Sequence, residues 1–256
     1  MTDTPDDETL RQRFNADGFV CIEGWLEDAD LDALCAEADA LLAEHSTHGT
    51  LRLGCVYETV PLHTSCSSLA QFTRARRPAP GVSALLFSQK VRETADLLLA
   101  PPHGAELCLF NEQYIVKPAH CGHSGAFGWH RDSQWLRGRQ PPRYLSLWCA
   151  LDDVSEENGT LYVLPGSHVA VDGELPLPPS TDVDASCIMT VPAGTLVALC
   201  STVLHCSGRN LADAPRRAWM PQISVSHILD DAGNLARHAV PLPIQCSVPC
   251  QRRVLK

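Results

Sequence analysis

Between residues 106 and 229 the chain breaks into short apolar runs: ELCLFNEQYIVK, RYLSLWCALDDV, TLYVLPGS, CIMTVPAGTLVALCS and RRAWMPQISVSHIL. Pro, Gly, Asn or Asp ends each run, and Val, Ile, Leu, Tyr and Trp dominate within them, which is the pattern of strands. No helical stretch of crossover length separates consecutive runs. Parallel strands need such crossovers, so the pairing is antiparallel and the architecture a sandwich or barrel. We expect a double-stranded β-helix, or jelly roll, over residues 105–230.

The first hundred residues carry a different period. From Asp28 the apolar positions Leu31, Leu34, Cys35, Ala38, Leu41 and Leu42 recur at three- and four-residue steps, the signature of an amphipathic helix. A short acidic helix is expected over residues 6–14, before Asp17-Gly18, then a brief strand at 19–22. Another helix is expected over 83–99, ending before Pro101-Pro102. Residues 47–80 show no period and read as a long loop of the kind often placed over an active site. The fold class is therefore mainly β with flanking α-helices packed on one sheet. It forms a single domain over 1–256, with a mostly helical part at 1–100 and a C-terminal extension at 231–256.

Charge and composition exclude several functions. A formal charge of −10 argues against a general nucleic-acid binder. The one dense basic cluster, Arg74, Arg76 and Arg77 around Ala75, reads as a solvated loop before Pro78, or else as a contact for an anionic substrate group. No run of about 18 apolar residues could span a bilayer, and the start, MTDTPDDETL, is acidic where a secretion signal is basic. The expectation is a cytoplasmic protein with a small-molecule partner and neither nucleic acid nor membrane; the sequence says nothing of oligomeric state. Twelve cysteines without a secretion signal read as reduced thiols. A zinc site built from His120, Cys121, His123, Cys246 and Cys250 is conceivable, but the tight C-x-x-C pairs of zinc knuckles are missing.

The chemistry-bearing stretch is GWHRDSQW at 128–135. In extended backbone, residues i and i+2 face the same side, so His130 and Asp132 can reach one ion while Arg131 points away. A mononuclear iron(II) oxygenase needs two histidines and one carboxylate on one face of an octahedron. His205, in STVLHCSGRN after the strand TLVALC, is the candidate third ligand, 73 residues past Asp132. Eleven residues later stands Arg216, whose guanidinium could hold a distal carboxylate through paired hydrogen bonds. His168, in LPGSH, competes with His205, but its place after a Pro-Gly turn suits a structural hydrogen bond. A metal-binding jelly roll of other chemistry, such as a cupin-like isomerase or a zinc hydrolase, could use the same three side chains.

The blocks FNADGFVCIEGWL, YIVKP, WHRD, NGTLYVLPGSH and HCSGRNLADAPRR, in this order, resemble the phytanoyl-CoA dioxygenase family of iron(II)- and 2-oxoglutarate-dependent oxygenases. The resemblance implies that His130, Asp132 and His205 are catalytic ligands of Fe(2+) and that Arg216 holds the C5 carboxylate of 2-oxoglutarate. It further implies that Ser207, Gln113 and Trp148 line the cosubstrate pocket, and that O2 oxidises a C–H bond while 2-oxoglutarate yields succinate and CO2. Related halogenases carry a small residue in place of the metal carboxylate. Asp132 therefore favours hydroxylation, or another two-electron oxidation such as desaturation or ring closure. A non-catalytic member of the family is the remaining alternative. Tyr57, His63, Arg131, Gln134 and Trp135 are candidates for shaping the substrate pocket.

Overall fold

The computed structural model describes residues 6–48, 56–60, 65–76, 83–122, 125–136, 143–178 and 187–243. His63, His123, Cys246 and Cys250 lie outside them. The first helix, α1 (Asp7–Asp17), is capped by the Asp6 carboxylate, which accepts from the Thr9 amide, and it ends at Gly18 in the left-handed conformation. A side chain at residue 18 would collide with His168, whose imidazole meets the carbonyl of Asn15. His168 is thus tied to the end of α1. Strand β1 (Phe19–Ile22) follows, then α2 (Asp28–His48), with Leu34, Ala38 and Leu41 buried as the periodicity requires.

Residues 47–80 contain more order than their sequence suggests. They include β2 (Val56–Glu58) and α3 (Leu69–Ala75). The helix expected over 83–99 is two, α4 (Ser83–Leu86) and α5 (Gln89–Leu99), because Ser88 caps a new start by accepting from the Val91 amide.

Strands β3 (Cys108–Lys117), β5 (Tyr144–Ala150), β8 (Leu196–Cys200), β10 (Arg216–Ser224) and β11 (Val240–Pro241) join β1 in a sheet of order β1-β8-β5-β10-β3-β11, and β2 also pairs with β3. A smaller sheet has the order β4-β9-β6-β7, formed by β4 (Phe127–His130), β9 (His205–Ser207), β6 (Leu161–Val163) and β7 (Cys187–Ile188). Both are antiparallel throughout, and the fold is a jelly roll with the helices on the larger sheet. Residues 231–243, expected as an extension, return to the core instead, where β11 pairs with β3.

Strand alternation divides β3 and β10 between two environments. Glu112, Tyr114 and Trp219 lie toward the helices, whereas Asn111, Gln113, Met220 and Gln222 line a cavity between the sheets. Arg76 is buried on the helical side and corrects the expectation of a solvated basic loop. Its guanidinium meets Glu37 of α2 at 2.5 Å and Glu112 of β3 at 2.6 Å. Tyr114 donates to Glu37, while Thr59 and the Trp219 indole donate to Glu112. Two buried carboxylates are tolerated there because every partner supplies a proton or a positive charge. Arg74, on α3, is exposed. The eight described cysteine side chains are free thiols, four of them buried, and no described helix is long and apolar enough to cross a membrane.

Candidate active site

A cavity of about 320 Å³ opens between the sheets, with His130, Asp132 and His205 on its wall. Strand β4 ends at His130, Arg131 stays extended, and Asp132 begins one turn of 3-10 helix through Trp135. The i, i+2 relation thus carries both side chains to one side at a strand end. Arg131 goes the other way and donates to the carbonyls of Thr202, Ser167 and Pro176. It shapes the loops behind the site rather than the pocket. His205 opens β9 and pairs directly with His130. Asp132 Oδ1 lies 3.8 Å from His130 Nε2 and 3.6 Å from His205 Nε2, and the two rings are 4.2 Å apart.

The tautomers follow from the neighbours. His130 Nδ1 lies 2.8 Å from the Gly128 carbonyl, and His205 Nδ1 lies 3.2 Å from the Val203 carbonyl. A carbonyl only accepts, so each Nδ1 carries the proton and each Nε2 lone pair is directed to the shared centre. Burial, and after it the neighbouring His205, hold His130 below the ordinary imidazole range, with Asp132 and the Gly128 carbonyl opposing. A neutral imidazole is the form that binds a metal. Two such imidazoles and a carboxylate, all within 4.8 Å of one another, are the donor set of a non-haem iron(II) centre and fit that ion.

Behind Asp132 runs a hydrogen-bonded row that sequence reading missed. Ser146 donates to Asp132 Oδ2 at 2.5 Å; Gln222 donates to the same oxygen at 3.4 Å and to Ser146 at 2.9 Å. Asn111 donates in turn to Gln222 Oε1 at 2.9 Å and to Gln113 Oε1 at 3.3 Å. An ionised carboxylate only accepts, and that fact sets every amide in the row. Gln222 must present its nitrogen to Asp132, its oxygen must accept from Asn111, and Asn111 Oδ1 is left buried without a hydrogen-bond partner among the described residues. Asn111, Gln222 and Ser146 stand side by side on β3, β10 and β5.

The other cosubstrate candidates also face the cavity. Arg216, wholly buried, starts β10 and donates from Nη2 to the Gly159 carbonyl at 3.0 Å, with its guanidinium carbon 5.3 Å from the Trp148 ring. Gly159 has a positive φ of 88°, and a Cβ there would meet the Gly208 carbonyl and the Lys117 chain at under 3 Å. Only glycine lets the 158–160 turn lie so close to Gly208 and Lys117, from where its carbonyl reaches Arg216. Lys117, also wholly buried, pairs across the strands with Arg216 and donates to Ser207 Oγ at 2.8 Å and to the Gly208 carbonyl. Trp148 Nε1 is buried without a hydrogen-bond partner among the described residues. A buried guanidinium, a hydroxyl and an idle indole N–H suit a dicarboxylate. Of the substrate-pocket candidates, Trp135 lines the cavity, Gln134 is exposed away from it, and Tyr57 is buried while its neighbours Val56 and Glu58 line the wall. Arg237, carried back by the segment before β11, completes the rim.

A family model described as phytanoyl-CoA dioxygenase (PhyH) matches residues 14–218. Phytanoyl-CoA dioxygenase domain-containing protein 1 of Bos taurus is 26% identical over 276 residues, covering 88% of this chain and 90% of that protein. Among solved structures, the non-heme α-ketoglutarate-dependent carbocyclase SnoK from nogalamycin biosynthesis superposes with a TM-score of 0.66 at 18% identity, covering 91% and 90% of the two chains. EvdO2 from Micromonospora carbonacea var. aurantiaca, solved with 2-oxoglutarate, gives 0.62 at 20% identity, with 97% and 98% covered. The family match spans most of the chain and includes both halves of the His-Asp-His cluster: the protein belongs to the phytanoyl-CoA dioxygenase family of iron(II)- and 2-oxoglutarate-dependent oxygenases.

Proposed function

We propose that this oxygenase hydroxylates an unactivated C–H bond of a small-molecule metabolite, with His130, Asp132 and His205 holding Fe(2+) and Arg216 holding the C5 carboxylate of 2-oxoglutarate. The observation that carries the reading is the convergence of His130 Nε2, Asp132 Oδ1 and His205 Nε2 on one cavity wall, with the buried Arg216 lining the same cavity. Bound iron(II) would supply the redox chemistry with O2 that no protein side chain can.

The chain's own residues do the rest. Arg216 orients the cosubstrate through a planar pair of donors, Ser207 and Trp148 flank that carboxylate, and Gln113 borders the cosubstrate from β3. Phe110, Tyr144, Ile115 and Leu161 give the cavity apolar walls that exclude water around the reacting carbon. Glu58, Asn111 and Arg237 leave polar groups for a substrate with both polar and apolar parts. Asp132 occupies the corner that a halide would need, which favours hydroxylation over halogenation.

The test reconstitutes the chain anaerobically with Fe(2+), then adds air, 2-oxoglutarate and a metabolite panel, reading succinate and product mass together. Succinate release coupled to a product that has gained one oxygen atom is expected. A product lacking two hydrogens would redirect the reading to desaturation or ring closure. An iron-loaded chain that releases no succinate under any condition would overturn it.

A further inference from the structure

A second set of metal-ligand side chains lies at the other end of the same strands. Glu106 and Cys108 flank Leu107 at the start of β3, and His227 follows three residues after β10, whose last residue, Ser224, pairs with Cys108. Glu106 Oε2 is 3.8 Å from Cys108 Sγ and 3.4 Å from His227 Nε2, and all three ligand atoms lie within 4.8 Å of one another. A tetrahedral zinc centre, with bonds of about 2.0 Å to nitrogen or oxygen and about 2.3 Å to thiolate, has ligand–ligand edges of about 3.3 to 3.5 Å. Both measured edges come within a few tenths of an ångström of those values. Glu106 and His227 are exposed and free to make that adjustment, while Cys108 is buried beneath them.

The donor set differs from that of the oxygenase centre. One thiolate, one imidazole and one carboxylate form a borderline-soft set that selects a zinc-class ion, not iron(II) held by nitrogen and oxygen alone. We propose that Glu106, Cys108 and His227 form a second site for a zinc-class divalent ion, with water in its fourth position. The ion ties the start of β3 to the segment leaving β10. That segment is an arm: Leu229 bridges Leu235, and the Ala236 amide donates to the Ile228 carbonyl at 2.9 Å. Ile228 and Ala236 at its base pack on Phe110 and Tyr144 of the cavity wall, and the arm returns through Arg237 on the rim. Clamping His227 fixes the root of an arm that borders the substrate cavity. The proposal stands independently of the oxygenase reading, because it shares no ligand with it.

Cobalt(II) separates the two sites, since only one contains sulfur. Titrating the full chain with Co(2+) under anaerobic conditions should load two ions, one of which adds a near-ultraviolet thiolate-to-cobalt band and the strong visible absorption of a tetrahedral centre. That band should be lost in Cys108→Ser and weakened at least about tenfold in affinity in His227→Ala and Glu106→Gln, and it should survive in Asp132→Ala. The two exposed substitutions decide the matter should Cys108→Ser fail to fold. A chain that shows no such band, or a band indifferent to His227→Ala and Glu106→Gln, overturns the proposal and leaves a thiol hydrogen-bonded to a carboxylate beside a surface ion pair.

Discussion

The two ends of the cavity are built differently. At the inner end, His130, His205 and Arg216 sit on strands, Asp132 follows directly from one, and each side chain makes at least one hydrogen bond. At the rim, Trp135 ends a single turn of 3-10 helix and is 55% exposed, Glu58 ends a three-residue strand, and Arg237 hangs from the return of the 228–236 arm. Under the proposed function, the reaction geometry rests on paired backbone, where a displacement must break a ladder. The substrate contacts it proposes fall on short segments that can differ without disturbing the sheet. This division explains how the jelly roll can keep one oxidation chemistry while accepting different substrates.

The comparison predicts a gradient of effects from the inner end outward. Asp132→Ala sits at its top: it removes the only carboxylate of the three-residue cluster and should abolish both succinate release and stoichiometric iron binding, read by turnover and metal analysis. Retained iron with full turnover would show that the inner end is not where the chemistry occurs. Arg216→Ala comes next. Losing a charge-assisted pair of hydrogen bonds should raise the KM for 2-oxoglutarate by about 10- to 100-fold while iron binding persists. An unchanged KM would remove Arg216 from the cosubstrate.

One step further out, Gln222→Leu and Ser146→Ala each deprive Asp132 of a donor without touching the ion. Each should weaken iron affinity by roughly 10-fold or more, with Tm moving far less in proportion. The direction is diagnostic, since a residue that merely fills space would move Tm and affinity together. Equal affinities in wild type and both variants would confine the rigid inner end to the three ligands themselves.

How far the site could be read from the sequence follows the same division. That His130, Asp132 and His205 converge was legible because HxD and a histidine after a strand are local patterns, and that Arg216 lines the same cavity was legible from its spacing from His205. Ser146, Gln222, Asn111 and Lys117 were not, since their meeting depends on cross-strand register, which no single segment contains. A signal did exist for Ser146 and Gln222: each is a polar residue inside a largely apolar run, where an idle polar group is costly. Arg76 was misread for a related reason. Its acidic partners stand 39 and 36 residues away, so RARR looks like a solvated cluster until the helices are laid on the sheet. The fold class was legible from the punctuation of the strands. The order inside residues 47–80 was not, because β2 is three residues long and is held by β3 rather than by its own pattern.

The rim supplies the smallest effect and the sharpest contrast. Arg237 donates to the carbonyls of Ala236 and Trp135, so it supports the 3-10 turn as well as lining the cavity. Arg237→Ala removes one charge and one long aliphatic stem from a solvent-facing edge, where screening keeps electrostatic effects small. It should therefore lower kcat/KM for the best substrate by only about 3- to 10-fold, change the ranking of substrates in the panel, and leave the KM for 2-oxoglutarate and the iron affinity unaltered. Substrate ranking and cosubstrate KM moving together would mean that the two ends are mechanically coupled, and the separation of rigid chemistry from adjustable recognition would fail at the residue where it is easiest to see.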